Sequence, residues 1–193
     1  MQALVRYLTH PQVEMNPAMP VPLWGLSVVG RKRVEMLTKA GWLKGTSQIV
    51  SSAERKALET ADLIADALGI RVEVREALHE NDRSSTGFLP SDEFERMADQ
   101  FFLHPDDSIR GWERARDAQA RIVREVETVL VRNVSGHILF VGHGAVGTLL
   151  LCHYTGAEIN RAYDQPPGGG HYFTIVKSTR RPIHKWRPME DAP

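Results

Sequence analysis

Two histidines stand where a strand pattern gives way. Residues 138–141 (Ile-Leu-Phe-Val) form a buried-strand run of apolar, β-branched and aromatic side chains. At Gly142-His143-Gly144 the chain then breaks into residues that are apolar at helical spacing. His143 is therefore expected at a strand-to-helix turn, where unpaired amides of the new helix attract an anion and flanking glycines let a ligand come close. A titratable imidazole beside such a site suits phosphate chemistry, although a lone histidine there more often only caps the helix. His10 occupies a second position of this kind: residues 3–9 read as a first strand, and Pro11 ends it because proline has no amide and disfavours helix in the residue before it. Residues 77–87 form a dense polar stretch, a functional candidate by composition alone.

The elements that would carry these residues alternate. After a proline-rich loop over residues 12–24, Ser27 caps a helix running to Ala40, and residues 48–51 read as a second strand. A helix is expected over residues 53–68, with Ala57, Ala61, Ile64, Ala65 and Leu68 on one stripe, and then a brief strand over residues 71–74. Ser91 is expected to cap a helix ending before Pro105. A long helix is expected over residues 110–132, with Trp112, Ala115, Gln119, Ile122, Val126 and Val129 at steps of three and four. Residues 165–170 turn into a strand over residues 171–176, and the tail from Thr179 is expected to add one edge strand and then fray. Strands alternating with helices predict an α/β fold: a three-layer α/β/α sandwich with a mostly parallel central sheet.

Composition narrows the partners. A chain of 193 residues fits a single domain spanning residues 1–193. With 24 Lys and Arg against 24 Asp and Glu, no overall field favours nucleic acid or an anionic membrane, so an anion site must be a local cluster. No leader pattern and no apolar run of transmembrane length stand out, so a cytoplasmic protein is expected. The single cysteine, Cys152, lies in an apolar run and is expected to pack as a small hydrophobe. Neither nucleotide-binding glycine motif is present, and no histidines fall at metal-ligand spacing, so no metal or other cofactor is expected. Oligomeric state is left open.

Four features fall in one order: His10 after the first strand, Ser52-Ala53-Glu54-Arg55-Lys56-Ala57 opening a helix, Leu78-His79-Glu80 in the polar loop, and Val141-Gly142-His143-Gly144. From His10 through Val176 this resembles the histidine phosphatase superfamily, also called the phosphoglycerate mutase-like family. The resemblance implies His10 as the nucleophile, Lys56 as the second basic residue, Glu80 as the proton donor and His143 as the residue steadying the transferring phosphoryl group. It implies further substrate contacts at Thr9, Asn16, Arg55, Arg83 and Gly144. Two departures stand out: Thr9-His10-Pro11 where the family has Arg-His-Gly, and Lys56-Ala57 where it has Arg-Ala. A guanidinium grips phosphate with a rigid fork and an ammonium acts as a point charge, so both changes loosen the clamp. Arg83, in the loop of Glu80, is the preferred compensating cation over Arg55 and Arg6. Setting Arg6-Tyr7 on Arg-His instead would remove the nucleophile and break the match at Asn16.

The chemistry is intelligible from the residues as well. A phosphoryl group in transfer is loose and highly charged, so a site needs an in-line nucleophile, a positive or hydrogen-bonding cradle and an acid for the departing oxygen. His10, Lys56 with His143, and Glu80 can supply these without a metal. The expected activity is phosphomonoester hydrolysis through a phosphohistidine, on a small phosphorylated substrate or a phosphoprotein. Mutase-type transfer is the alternative, disfavoured by the short segment between Glu80 and Ser91, together with a non-catalytic phosphate-binding member of the fold.

Overall fold

The computed structural model describes residues 2–132 and 135–193. Among them, β1 (Leu4–Thr9), β2 (Thr46–Ser52), β3 (Val72–Arg75), β4 (His137–Gly142), β5 (His171–Val176) and β6 (Pro182–Pro188) form one sheet in the order β3-β2-β4-β1-β5-β6. The β3-β2-β4-β1 part is parallel, β5 runs antiparallel to β1, and β6 runs antiparallel to β5. β1 and β4 are buried on both faces, which is why they read as nearly continuous apolar runs. Val5, Tyr7, Ile138 and Phe140 point to one side, into a core with α3 (Ser91–Leu103), α4 (Ala115–Leu130) and α5 (Gly144–Thr155). Leu8, Leu139 and Val141 point to the other, against α1 (Val28–Leu37) and α2 (Arg55–Leu68). The result is the expected α/β/α sandwich.

The site follows from this topology. The chain leaves β1 towards α1 on one face and leaves β4 towards α5 on the other, so a crevice opens at the carboxyl ends of these adjacent strands. Thr9 pairs with Gly142, so the next residues, His10 and His143, emerge side by side. Ser51 pairs with Val141, which brings Ser52 and the residues after it to the same edge.

Several boundaries differ from the sequence expectation. α2 begins at Arg55, with Glu54 extended as its cap residue and making no side-chain capping bond. Pro90 precedes α3, and Ser91 is its first residue rather than its cap. The expected helix over residues 110–132 begins only at Ala115. Arg110 has φ 49° and Gly111 φ 83°, both left-handed. That break lets the Trp112 indole stack near Phe94 and Phe101 and donate to Thr86 Oγ1 at 2.8 Å, contacts a continuous helix would forgo. The tail does not fray after β6: Trp186 packs on Phe173, Met189 is buried, and Arg33 grips the Glu190 carboxylate with two nitrogens. Cys152 is buried in α5, as its neighbours suggested.

Candidate active site

His10 leaves β1 with its backbone held on both sides: its amide donates to Gly142 O at 3.0 Å, and its carbonyl accepts from Gly170 N at 3.0 Å. The glycine turn over residues 168–170 presses directly on this carbonyl. Gly169, at φ 62°, has no room for a Cβ against the His10 oxygen. The ring is held too, with Nδ1 2.9 Å from Pro11 O. A carbonyl can only accept, so Nδ1 carries the proton and Nε2 keeps its lone pair. Burial, reinforced by the Lys56 charge, pulls the His10 pKa down to about 4, leaving the imidazole neutral and nucleophilic at ordinary pH.

His143 lies across the crevice, its ring centroid 5.3 Å from that of His10. Tyr7 fixes its backbone by accepting from His143 N and donating to His143 O, each at 3.1 Å. The side chain is 0% exposed, and Nε2 lies 2.8 Å from Ser52 Oγ. That hydroxyl also accepts from Glu54 N at 3.2 Å. The other ring nitrogen, Nδ1, is buried with no partner among the described residues. Burial drives the His143 pKa well below its ordinary value despite the nearby Glu54 carboxylate.

Lys56 is only 3% exposed. Its ammonium donates to the Glu54 carboxylate and, at 3.1 Å, to Val21 O. Glu54 also accepts from Glu80 N at 2.9 Å and approaches His143 Nε2 to 3.5 Å. Burial alone would raise the Glu54 carboxyl, but His143, the Lys56 ammonium and these hydrogen bonds together bring it down to about 2. This second carboxylate has no counterpart among the residues singled out from sequence. In the sequence it stands within the motif that opens α2 and has no role of its own there; its pairing with Lys56 goes with the extended backbone at position 54.

Glu80 reaches the start of α5. Its carboxylate accepts from Ala145 N at 3.2 Å and Val146 N at 3.0 Å, and from Asn81 N at 3.1 Å. The amides expected to hold phosphate at this helix are therefore in part occupied: Glu80 takes those of Ala145 and Val146. Burial raises the Glu80 pKa, with Glu54 adding to it against the pull of Arg83 and the amides. Its loop is held by Arg121, which donates to Ala77 O and His79 O at 2.9 Å and pairs with Glu113 at 2.7 Å. Nothing in the sequence pointed to Arg121, an arginine on a helix face some forty positions away.

The remaining candidates divide. Arg83 lines the cleft beside Glu80, its guanidinium 4.7 Å over the Phe94 ring. Its charge is felt at His10, His143 and Glu80. Arg55 also lines the cleft but is exposed and paired with Glu59 at 2.8 Å. Thr9 is buried with its hydroxyl engaged: it donates to Gln165 Oε1 at 2.7 Å and accepts from His171 N at 3.0 Å. Asn16 is exposed, and its side-chain oxygen closes a local turn by accepting from Ala18 N at 3.0 Å. The structure thus brings His10, His143, Lys56 and Glu80 together around the Glu54 carboxylate; of the expected site residues, Glu80, Arg55 and Arg83 line the adjoining cleft, whereas His10, Lys56, His143, Gly144, Thr9 and Asn16 do not. The cleft has a volume of about 1210 Å³, with Pro20, Val21, Pro22 and Leu23 on one wall and the Glu80 loop on the other. Among the described residues no group of three His, Cys, Asp or Glu side chains is placed to hold a metal ion, and no helix is long and apolar enough to cross a membrane.

Comparison with known proteins gives the same outline. Residues 10–181 match the histidine phosphatase superfamily (branch 1). No curated protein is detectably similar in sequence. Among solved structures, a mycobacterial glucosyl-3-phosphoglycerate phosphatase superposes with a TM-score of 0.71 at 17% identity, covering 97% of each chain. Bacillus stearothermophilus YhfR gives 0.75 at 23% identity over 90% of each. An Entamoeba histolytica phosphoserine phosphatase, solved with 3-phosphoglyceric acid, gives 0.75 at 16% identity over 94% of each.

Proposed function

The chain belongs to the histidine phosphatase superfamily, and on that premise we propose that it hydrolyses phosphomonoesters, without a metal, through a phosphohistidine on His10. The observation that carries this reading is the state of the His10 ring. Its Nδ1 is tied to Pro11 O, its Nε2 is unprotonated, and it stands beside a buried ammonium and an unpartnered buried ring nitrogen of His143. In the reaction, the Nε2 lone pair attacks phosphorus as the ester P–O bond breaks. The leaving oxygen takes its proton from Glu80, whose raised pKa favours the neutral acid. The third N–H of Lys56, the Gly144 amide and the His143 ring, in the tautomer that carries its proton on the unpartnered Nδ1, would donate to the phosphoryl oxygens, with Arg83 adding charge. Glu80, now a carboxylate, takes a proton from water. The resulting hydroxide displaces His10 from phosphorus, the P–N electron pair returns to Nε2, and inorganic phosphate leaves.

The apolar wall at residues 20–23 suits a leaving group with an apolar flank, on a small phosphorylated molecule or a phosphoprotein side chain. A panel of phosphorylated metabolites and a phosphohistidine protein would sort these. One observation favours a second reading, a phosphate binder with little turnover: Glu54 neutralises much of the Lys56 charge that would otherwise face the substrate. A single experiment separates the two. After rapid mixing with an aryl phosphate in the presence of a chelator and an alkaline quench, mass spectrometry should find stoichiometric phosphate on His10 and none in His10→Ala. Label on His143, label surviving in His10→Ala, or activity restored only by magnesium would overturn the reading.

A further inference from the structure

The second cleft lies on the α1/α2 side of the sheet, away from the histidines. Arg6 is on β1 four residues before His10, on the order of 13 Å along the strand. It is a charged side chain in the core, only 6% exposed. Its guanidinium lies over the Trp42 ring at 5.1 Å, and Nη1 donates to Thr46 Oγ1 at 3.0 Å. Nε is buried with no acceptor. Among the described residues, the influences on its charge are burial and the Tyr172 phenol, with no carboxylate among them. With its Nε–H buried and unpaired among the described residues, this guanidinium carries a desolvation cost that an anion in contact with it would offset.

The space beside it is shaped for one. Arg6 lines a cleft of about 520 Å³ together with Leu4, Trp42, Tyr172, Ile183 and Arg187. Tyr172 and Arg187 are paired across β5 and β6, and Arg187 lines the same cleft, which brings a second cation to its mouth. His184 closes one side, its two ring nitrogens already engaged with Lys185 O and Thr174 Oγ1. Among the described residues no Asp or Glu side chain lines this cleft; Pro193, the last residue of the chain, lines it beside Gly41. Its rim is apolar, with Ile183 57% exposed. We propose that this cleft is a binding site for a small organic oxyanion: a carboxylate or phosphonate-like head group seated on Arg6 and Arg187, with an apolar body against Trp42 and Ile183. The planar fork of a guanidinium accepts either head group in a bidentate fashion, so the recognising chemistry is shared.

Benzoate and phenylphosphonate, neither of which carries a hydrolysable phosphate ester, serve as the two probes in amide and indole NMR titrations of the full chain. Saturable shifts are expected at the Trp42 indole, Thr174 and Ile183, with a dissociation constant on the order of 1 mM. Whichever probe binds more tightly identifies the preferred head group. Any second set of shifts at Gly144 and Ala145 reports the histidine crevice and is fitted separately. Arg187→Gln, at an exposed position, should weaken binding by about tenfold, the loss of one charge-assisted contact. Arg6→Gln should abolish the saturable shifts. Failure of both probes to saturate the Trp42 set would overturn the proposal, as would wild-type binding by a folded Arg6→Gln protein. If Arg6→Gln does not fold, the Arg187→Gln titration decides alone: unchanged affinity refutes the site.

Discussion

Replacing Glu54 with glutamine tests the pair at the centre of the crevice, because it removes one charge and keeps the shape. The side chains of Glu54 and Lys56 are 10% and 4% exposed, so solvent screens their attraction little. Glu54 has a carboxyl pKa of about 2 in the fold against an ordinary 4.5. A group depressed in the native state contributes stability that is complete above its unfolded pKa and is lost as pH falls through the folded one. At about 1.4 kcal/mol per tenfold change in proton affinity, that contribution is about 3 kcal/mol at pH 7 and falls away progressively below about pH 4.5, most of it gone by about pH 2. The same size is expected for removing one partner of a buried ion pair, about 3–5 kcal/mol. Urea unfolding of wild type and Glu54→Gln at a series of pH values measures it directly. The gap between the two proteins should be widest at neutral pH and close as pH falls from 4.5 towards 2. A gap below about 1 kcal/mol at pH 7 would refute the reasoning, since one RT-scale contact then accounts for it. So would a gap that closes between pH 6.5 and 4.5, the window of a histidine.

His10 supplies that other window. Its pKa of about 4 predicts an acid limb of kcat/KM near pH 4 rather than near 6.5, and Lys56→Met should move that limb upward because the Lys56 charge helps depress it; an unmoved limb would detach Lys56 from His10. Glu80→Gln should slow alkyl phosphates far more than aryl phosphates with good leaving groups, since only the former need a proton in the transition state. Equal slowing of both, read from kcat for the two substrates, would make Glu80 a positioning residue. Gly169→Ala places a Cβ against the His10 carbonyl at φ 62°, so it should cost about 1–2 kcal/mol in thermal or urea unfolding and lower turnover as His10 shifts. Wild-type kinetics in that variant would show that the turn does not set the His10 position.

The sequence by itself determined which elements form and in what order, because apolar periodicity and caps are local properties. The runs around β1 and β4, the stripe of α2 and the Ser27 cap, whose hydroxyl accepts from Gly30 N at 3.1 Å, are visible in short windows. It also placed His10 and His143 at strand ends, which put both beside a crevice once the strands paired. Only the tertiary structure decided who partners whom. The register of β2 against β4 brings Ser52 to the His143 ring, and the extended backbone at Glu54 turns a nominal helix residue onto Lys56. The helix amides that a sequence reading reserves for phosphate go in part to Glu80, because Arg121 holds that loop against α5 from far along the chain. The break at Arg110 escaped for the same reason: Trp112 lies at helical spacing from Ala115, and only its contacts with Phe94, Phe101 and Thr86 make a left-handed turn worth its local cost. Hydrogen bonds and ion pairs between distant segments depend on register and packing, and neither is written in the spacing of residues along one element.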